Sequence, residues 1–182
     1  MTYSKEVTLH VGGVHACAEP TLIKTLLGSC VAVCLWDPHT RAGGMNHFLL
    51  PDGGADETGA EATRFGVHAM DCLIGEMLKL GTDPRRFVAK VFGGASVLTL
   101  TGQAAGVPAA NLAFVRTFLA REGLRVVATS VGGTLPLQLR FFTDTGKAMV
   151  RRVVTPKARQ IVVEQERHGR SRRARFGDVT FF

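Results

Sequence analysis

Cys30 opens a wholly apolar run, Cys-Val-Ala-Val-Cys-Leu-Trp, directly behind Gly28-Ser29. Glycine there lets the backbone turn tightly and approach a substrate closely, and two amide N–H groups at such a turn suit a developing oxyanion. A thiol at this loop-to-strand junction is expected to be more accessible than one in mid-strand. An ordinary thiol, with a pKa of about 8.5, is only a few per cent ionised at neutral pH, so a cysteine nucleophile needs a base. The chain has six histidines to supply one. Cys34, deeper in the run, reads as a small core residue, and Cys17 and Cys72 as structural.

Hairpin geometry selects among the histidines. If 37–42 forms the loop, Trp36 opposes Gly43 and paired residue numbers sum to 79, so His47 pairs with Ala32. Alternate residues share a face, which puts Cys30 diagonally across from His47 and within reach. A register summing to 77 makes them direct partners, and one summing to 78 separates them to opposite faces. His39 falls in the turn and His168 near the C-terminal end. His10, His15 and His68 have no such relation to a thiol. On geometry alone two readings stand: a Cys–His pair, or a buried thiol beside an unrelated imidazole. His15, Cys17, Cys30 and Cys34 match no zinc spacing, and the Cys30–Cys34 thiols are too far apart along a strand for easy chelation, so no metal is expected.

The elements that must position these residues are short. Val7–Val14 reads as a strand ended by Gly12-Gly13, Leu22–Leu27 as an apolar segment leading into the Gly28 turn, and Cys30–Trp36 as a strand buried on both faces. Gly44–Leu50 returns as the next strand, followed by a polar loop over Pro51–Gly59. Thr58 and Glu61 have capping-box spacing ahead of a helix with Phe65, Ala69, Leu73, Met77 and Leu80 on its apolar face and Gly81 at its end. Ala89–Phe92 is a strand running into Gly93-Gly94, and Pro108–Glu122 a second helix with Leu112, Val115 and Leu119 on one face. Leu124–Ser130, Leu137–Thr143 and Ala148–Val154 complete the strands. Strands mostly in hairpin order argue for an α+β architecture over a doubly wound parallel sheet.

Composition bounds the rest. The 182 residues are 46% hydrophobic and 20% charged, values of a globular domain with a real core. There is no apolar run of membrane-spanning length, and the polar opening residues do not read as a secretory signal. Four irregularly spaced cysteines suit a reducing cytoplasm. Of the net charge of +7, much lies between Lys157 and Phe182, where seven basic residues face three acids. We therefore divide the chain into a domain over 1–156 and a basic tail over 157–182. The tail reads foremost as a solvated terminus; with one Trp and one Tyr there is no stacking platform for nucleic acid.

Leu27-Gly28-Ser29-Cys30-Val31-Ala32-Val33-Cys34-Leu35, followed by Gly44-Met45-Asn46-His47-Phe48-Leu49-Leu50-Pro51, closely resembles CheD, the chemoreceptor glutamine deamidase family of bacterial and archaeal chemotaxis. His68-Ala69-Met70, Lys90-Val91-Phe92-Gly93-Gly94-Ala95 and Thr145-Gly146-Lys147 follow in the family's order. The resemblance implies a β-sandwich core of mostly antiparallel strands flanked by helices, similar to the catalytic domain of the cytotoxic necrotising factor toxins. It implies a Cys–His hydrolase that deamidates glutamines on the cytoplasmic helices of methyl-accepting chemotaxis receptors, with Cys30 as nucleophile and His47 as base. Hydrolysis of glutamate methyl esters is a related expectation. Backbone N–H groups around Gly28, Ser29 and Cys30 would form the oxyanion hole, and no metal or organic cofactor is called for. The hydroxyl residue that the family commonly carries ahead of the cysteine falls on Lys24; the nearest hydroxyl is Thr25. Either Thr25 takes that role or a backbone carbonyl orients His47. The resemblance also raises a non-catalytic alternative, an adaptor that binds receptors or a CheC-type phosphatase.

Overall fold

The computed structural model describes Tyr3 and residues 5–50, 60–97 and 106–164. The loop expected over Pro51–Gly59, the Thr58 cap and the Arg-rich stretch beyond residue 164 lie outside the described residues. The strands are β1 (Lys5–Thr8), β2 (Val14–Cys17), β3 (Thr21–Leu27), β4 (Val31–Asp37), β5 (Ala42–Asn46), β6 (Val88–Gly93), β7 (Arg125–Val131), β8 (Leu137–Phe142) and β9 (Ala148–Arg152). Helices α1 (Ala60–Lys79) and α2 (Gly106–Arg121) flank β6, a 3₁₀ turn spans Pro84–Arg86, and a final helical segment, α3, covers 156–164.

Two sheets stack. The first has the order β1-β3-β8-β9 and the second β2-β5-β4-β6-β7; β1–β3 and β6–β7 are parallel pairs and the rest antiparallel. This is the expected α+β sandwich of mostly antiparallel strands with helices alongside. Alternation along the strands builds two cores. Ile23 and Leu27 of β3, Leu139 and Phe141 of β8, and Cys30, Ala32 and Cys34 meet between the sheets. On the other face of β4, Val31, Val33 and Leu35 meet Met70, Leu73 and Met77 of α1 and Val115 and Leu119 of α2. A strand apolar on both faces is therefore the middle of a three-layer stack.

Three expectations shift. The segment read as one strand over Val7–Val14 is two strands in different sheets, joined by a crossing at 9–13 in which Gly12 takes φ +83°. The buried stripe of α1 runs through Met70, Leu73 and Met77, leaving Phe65 45% exposed. The helix turns that way because Gly66 meets the Phe114 ring, where a Cβ would come within 2.6 Å. The return strand pairs regularly only to Asn46 and touches β4 again through a single bridge, Val31 with Phe48.

Asp37 closes the β4–β5 hairpin and is fully buried. Its carboxylate accepts from His39 N at 2.9 Å and Asp83 N at 3.3 Å, and from Arg86 Nε at 3.1 Å and Nη2 at 2.8 Å. The Arg86 guanidinium beside it holds the acid well below the usual carboxylate range. That stability is present above the unfolded carboxylate pKa and is lost as pH falls below it. Arg86→Leu leaves the buried charge short of its main partner and is expected to cost about 2 kcal/mol, less than a fully buried pair because Arg86 is part-exposed. Urea unfolding at neutral pH measures it, and adding Asp37→Asn is expected to recover part of the loss.

Candidate active site

The β4–β5 pairing fixes the geometry of the site. Trp36 opposes Gly43, Leu35 opposes Gly44 and Cys34 opposes Met45, and the isolated Val31–Phe48 bridge keeps the same sum of 79. His47 is thereby the cross-strand neighbour of Ala32, diagonal to Cys30, on the face turned toward the first sheet.

Between the two stretches of pairing the ladder is interrupted by a side chain. Val33 N donates to Asn46 Oδ1 at 2.9 Å, where a regular register would offer it a backbone carbonyl. Asn46 Nδ2 donates to Ala69 O of α1 at 3.0 Å. The backbone of His47 pairs instead with the β1–β2 crossing: His47 N donates to Gly13 O at 3.0 Å and Gly12 N to His47 O at 2.7 Å. Asn46 thus stands in for main chain and lets His47 leave the strand without orphaning a buried amide.

The His47 ring is completely buried and reaches across to the first sheet. Its Nδ1 lies 2.8 Å from Thr25 Oγ1, and Thr25 Oγ1 donates to Leu9 O at 2.9 Å. With the hydroxyl proton committed to Leu9, Nδ1 must be the donor to Thr25, so the free lone pair of the neutral ring is on Nε2. Nε2 is buried and makes no hydrogen bond among the described residues. Burial pushes the His47 pKa down to about 3; the Leu9 carbonyl opposes the shift and the nearby His10 adds to it. His47 is therefore a neutral imidazole with a set tautomer. Thr25 is there because Ile23, Thr25 and Leu27 alternate inward along β3, while Lys24 points out to an ion pair with Glu6.

Cys30 is only 1% exposed, which overturns the expectation of an accessible junction thiol. The turn in front of it is pinned at three successive carbonyls: Gly28 O accepts from Ala95 N at 2.8 Å, Ser29 O from Asn111 Nδ2 at 2.9 Å and Cys30 O from Gly94 N at 2.8 Å. Gly93, at φ +102°, packs so closely that a Cβ would sit 2.2 Å from Cys30 O, so the Gly93-Gly94 pair is a seat for the cysteine backbone. In the sequence this pair stands out as a strand end and within a motif, whereas Asn111 does not stand out. Its signal was visible as the one polar residue on the Val107, Asn111, Val115, Leu119 stripe of α2.

The remaining thiols and histidines stand apart. Cys34 is buried and its pKa is driven far up by desolvation. Cys17 donates to Glu19 O at 3.4 Å. His68 does have a thiol neighbour, contrary to expectation: one helical turn apart on α1, Cys72 Sγ lies 3.6 Å from its Nε2. His15 is half-buried and held low by desolvation, and His10 is exposed in the crossing. Among the described residues no helix is long and apolar enough to cross a membrane.

Residues 49–152 match the family model described as CheD chemotactic sensory transduction, a segment that begins just after His47. The chain is 46% identical over 142 residues to the probable chemoreceptor glutamine deamidase CheD 1 of Burkholderia thailandensis, and equally so to a probable chemoreceptor glutamine deamidase CheD of Burkholderia pseudomallei. Each match covers 74% of this chain and 58% of the relative. A solved Neisseria meningitidis protein of the DUF152 family model is similar at a TM-score of 0.43 and 13% identity, covering 71% of this chain and 64% of that one.

Proposed function

Because this chain belongs to the CheD family, we propose that it deamidates glutamine side chains of methyl-accepting chemotaxis receptors in the cytoplasm, by a Cys30–His47 thiol mechanism. The observation that supports the chemistry is the Leu9–Thr25–His47 hydrogen-bond chain, which leaves Nε2 as an acceptor on the face Cys30 shares. A buried neutral imidazole does not favour a preformed thiolate–imidazolium pair. The proton of Cys30 therefore moves to Nε2 as Sγ bonds to the carboxamide carbon, in general-base fashion. The tetrahedral oxyanion takes N–H donors from the Gly28–Ser29–Cys30 turn. Collapse breaks the C–N bond, and the imidazolium proton leaves with ammonia. A water deprotonated by His47 then attacks the thioester, releases glutamate and returns the proton to Cys30. Thr25 holds the ring through both half-reactions.

The test is intact-mass spectrometry of a receptor cytoplasmic fragment incubated with the protein. A gain of about 1 Da per modified glutamine is expected. Unchanged mass with folded protein and several receptor fragments overturns the reading in favour of the adaptor.

A further inference from the structure

Asn111 does not belong to the Cys–His–Thr constellation, yet it is the side chain that holds the backbone of the nucleophile. It lies in α2, is completely buried and spans two main-chain groups: Nδ2 donates to Ser29 O at 2.9 Å, and Leu50 N donates to Oδ1 at 2.8 Å. The amide orientation is unambiguous, because Leu50 N can only donate and Ser29 O can only accept. In a trans peptide the C=O and N–H point in opposite directions. Fixing Ser29 O on α2 therefore fixes the direction of the Cys30 N–H, and fixing Gly28 O on Ala95 N does the same for the Ser29 N–H. These two N–H groups are the ones the reaction proposed above would use against the oxyanion.

We propose that Asn111 is a positioning residue for the oxyanion hole: its carboxamide sets the Ser29–Cys30 peptide plane and so aims the Cys30 N–H at the developing oxyanion. The proposal rests on the thiol mechanism, but its test does not depend on a receptor. Two reactions at Cys30 share the same base and differ in the oxyanion. With p-nitrophenyl acetate, Sγ attacks the carbonyl, the S–C bond forms through a tetrahedral oxyanion, nitrophenolate leaves and the thiol proton passes to His47. With iodoacetamide, Sγ displaces iodide with no oxyanion at all. The ratio of acylation to alkylation rates, followed at Cys30 by peptide mass spectrometry, isolates the hole from the base and from access.

Asn111→Asp, assayed at a pH where the carboxyl is ionised, keeps the acceptor for Leu50 N and removes the donor to Ser29 O. It is expected to lower the ratio about tenfold or more, with alkylation within about threefold of wild type. Asn111→Ser, small and neutral, serves where the buried carboxylate prevents folding, and the same direction is expected. A wild-type ratio in either folded variant overturns the proposal, as does failure of both to fold, which would make Asn111 a folding residue. Wild-type protein that acylates at Cys30 but leaves receptor fragments unchanged defeats the deamidase reading alone. Wild-type protein inert to acylation defeats both.

Discussion

Cys30→Ala is expected to abolish deamidation, lowering kcat by at least about 10⁴-fold, because removing a covalent nucleophile removes the whole two-step path. The substitution deletes one atom from the inter-sheet core, so the fold should survive it with a cost of about 1 kcal/mol. Cys34→Ala is the matched control. It lies four residues on, within β4, on the same face and equally buried. Its thiol is pushed far from ionisation by desolvation. Turnover per folded molecule should stay within about twofold of wild type in that variant. A receptor fragment assayed by mass against both proteins separates the outcomes. Equal loss in the two would mean that core packing, not Cys30 chemistry, sets the activity.

The second large effect is expected at His47. His47→Gln keeps a polar group near Thr25 but cannot cycle a proton, and should lower kcat about 10³-fold or more. The wild-type pH profile carries the same information. With the ring held at about 3, the base stays neutral throughout the physiological range, so no acid limb centred near the ordinary histidine pKa of 6.5 is expected. Stability moves instead. Between the unfolded value and about 3 the unfolded chain binds a proton that the native ring refuses, so stability falls as pH drops through that window. The slope approaches about 1.4 kcal/mol per pH unit below the unfolded value of 6.5, so between about 2 and 3 kcal/mol is lost from pH 7 to pH 4.5. Urea unfolding at both pH values should show this loss in wild type and largely not in His47→Gln. A kinetic limb near 6.5, or an unchanged difference in the variant, would contradict the buried neutral ring.

Much of the site was legible because its spacing is local. A hairpin joins Cys30 to His47, and once 37–42 is taken as the loop the register sum of 79 follows and is the one observed. Choosing Thr25 over Lys24 was also within reach, since inward alternation from Ile23 to Leu27 decides it. What the sequence could not disclose was where the chain changes sheets. Val7 to Val14 reads as one strand ended by Gly12-Gly13, and nothing local says that the chain passes there from one sheet to the other. That crossing supplies the Leu9 carbonyl and the Gly12 and Gly13 contacts of His47, so the surroundings of the imidazole stayed hidden. Burial of Cys30 was hidden too, because a junction is exposed only if no later segment covers it, and Gly93, Gly94 and Asn111 come more than sixty residues on.

The burial of Cys30 and His47 between the sheets has a consequence for what the site can hold. A carboxamide is neutral and can enter a site whose thiol and imidazole are 0–1% exposed without surrendering a charge's hydration. What leaves after hydrolysis is a carboxylate, and holding an unpaired anion in such surroundings costs several kcal/mol. On the reaction proposed above, the same burial that keeps His47 neutral would therefore disfavour holding the product. A receptor helix already converted to glutamate is then expected to compete poorly for the site, so product inhibition should be weak.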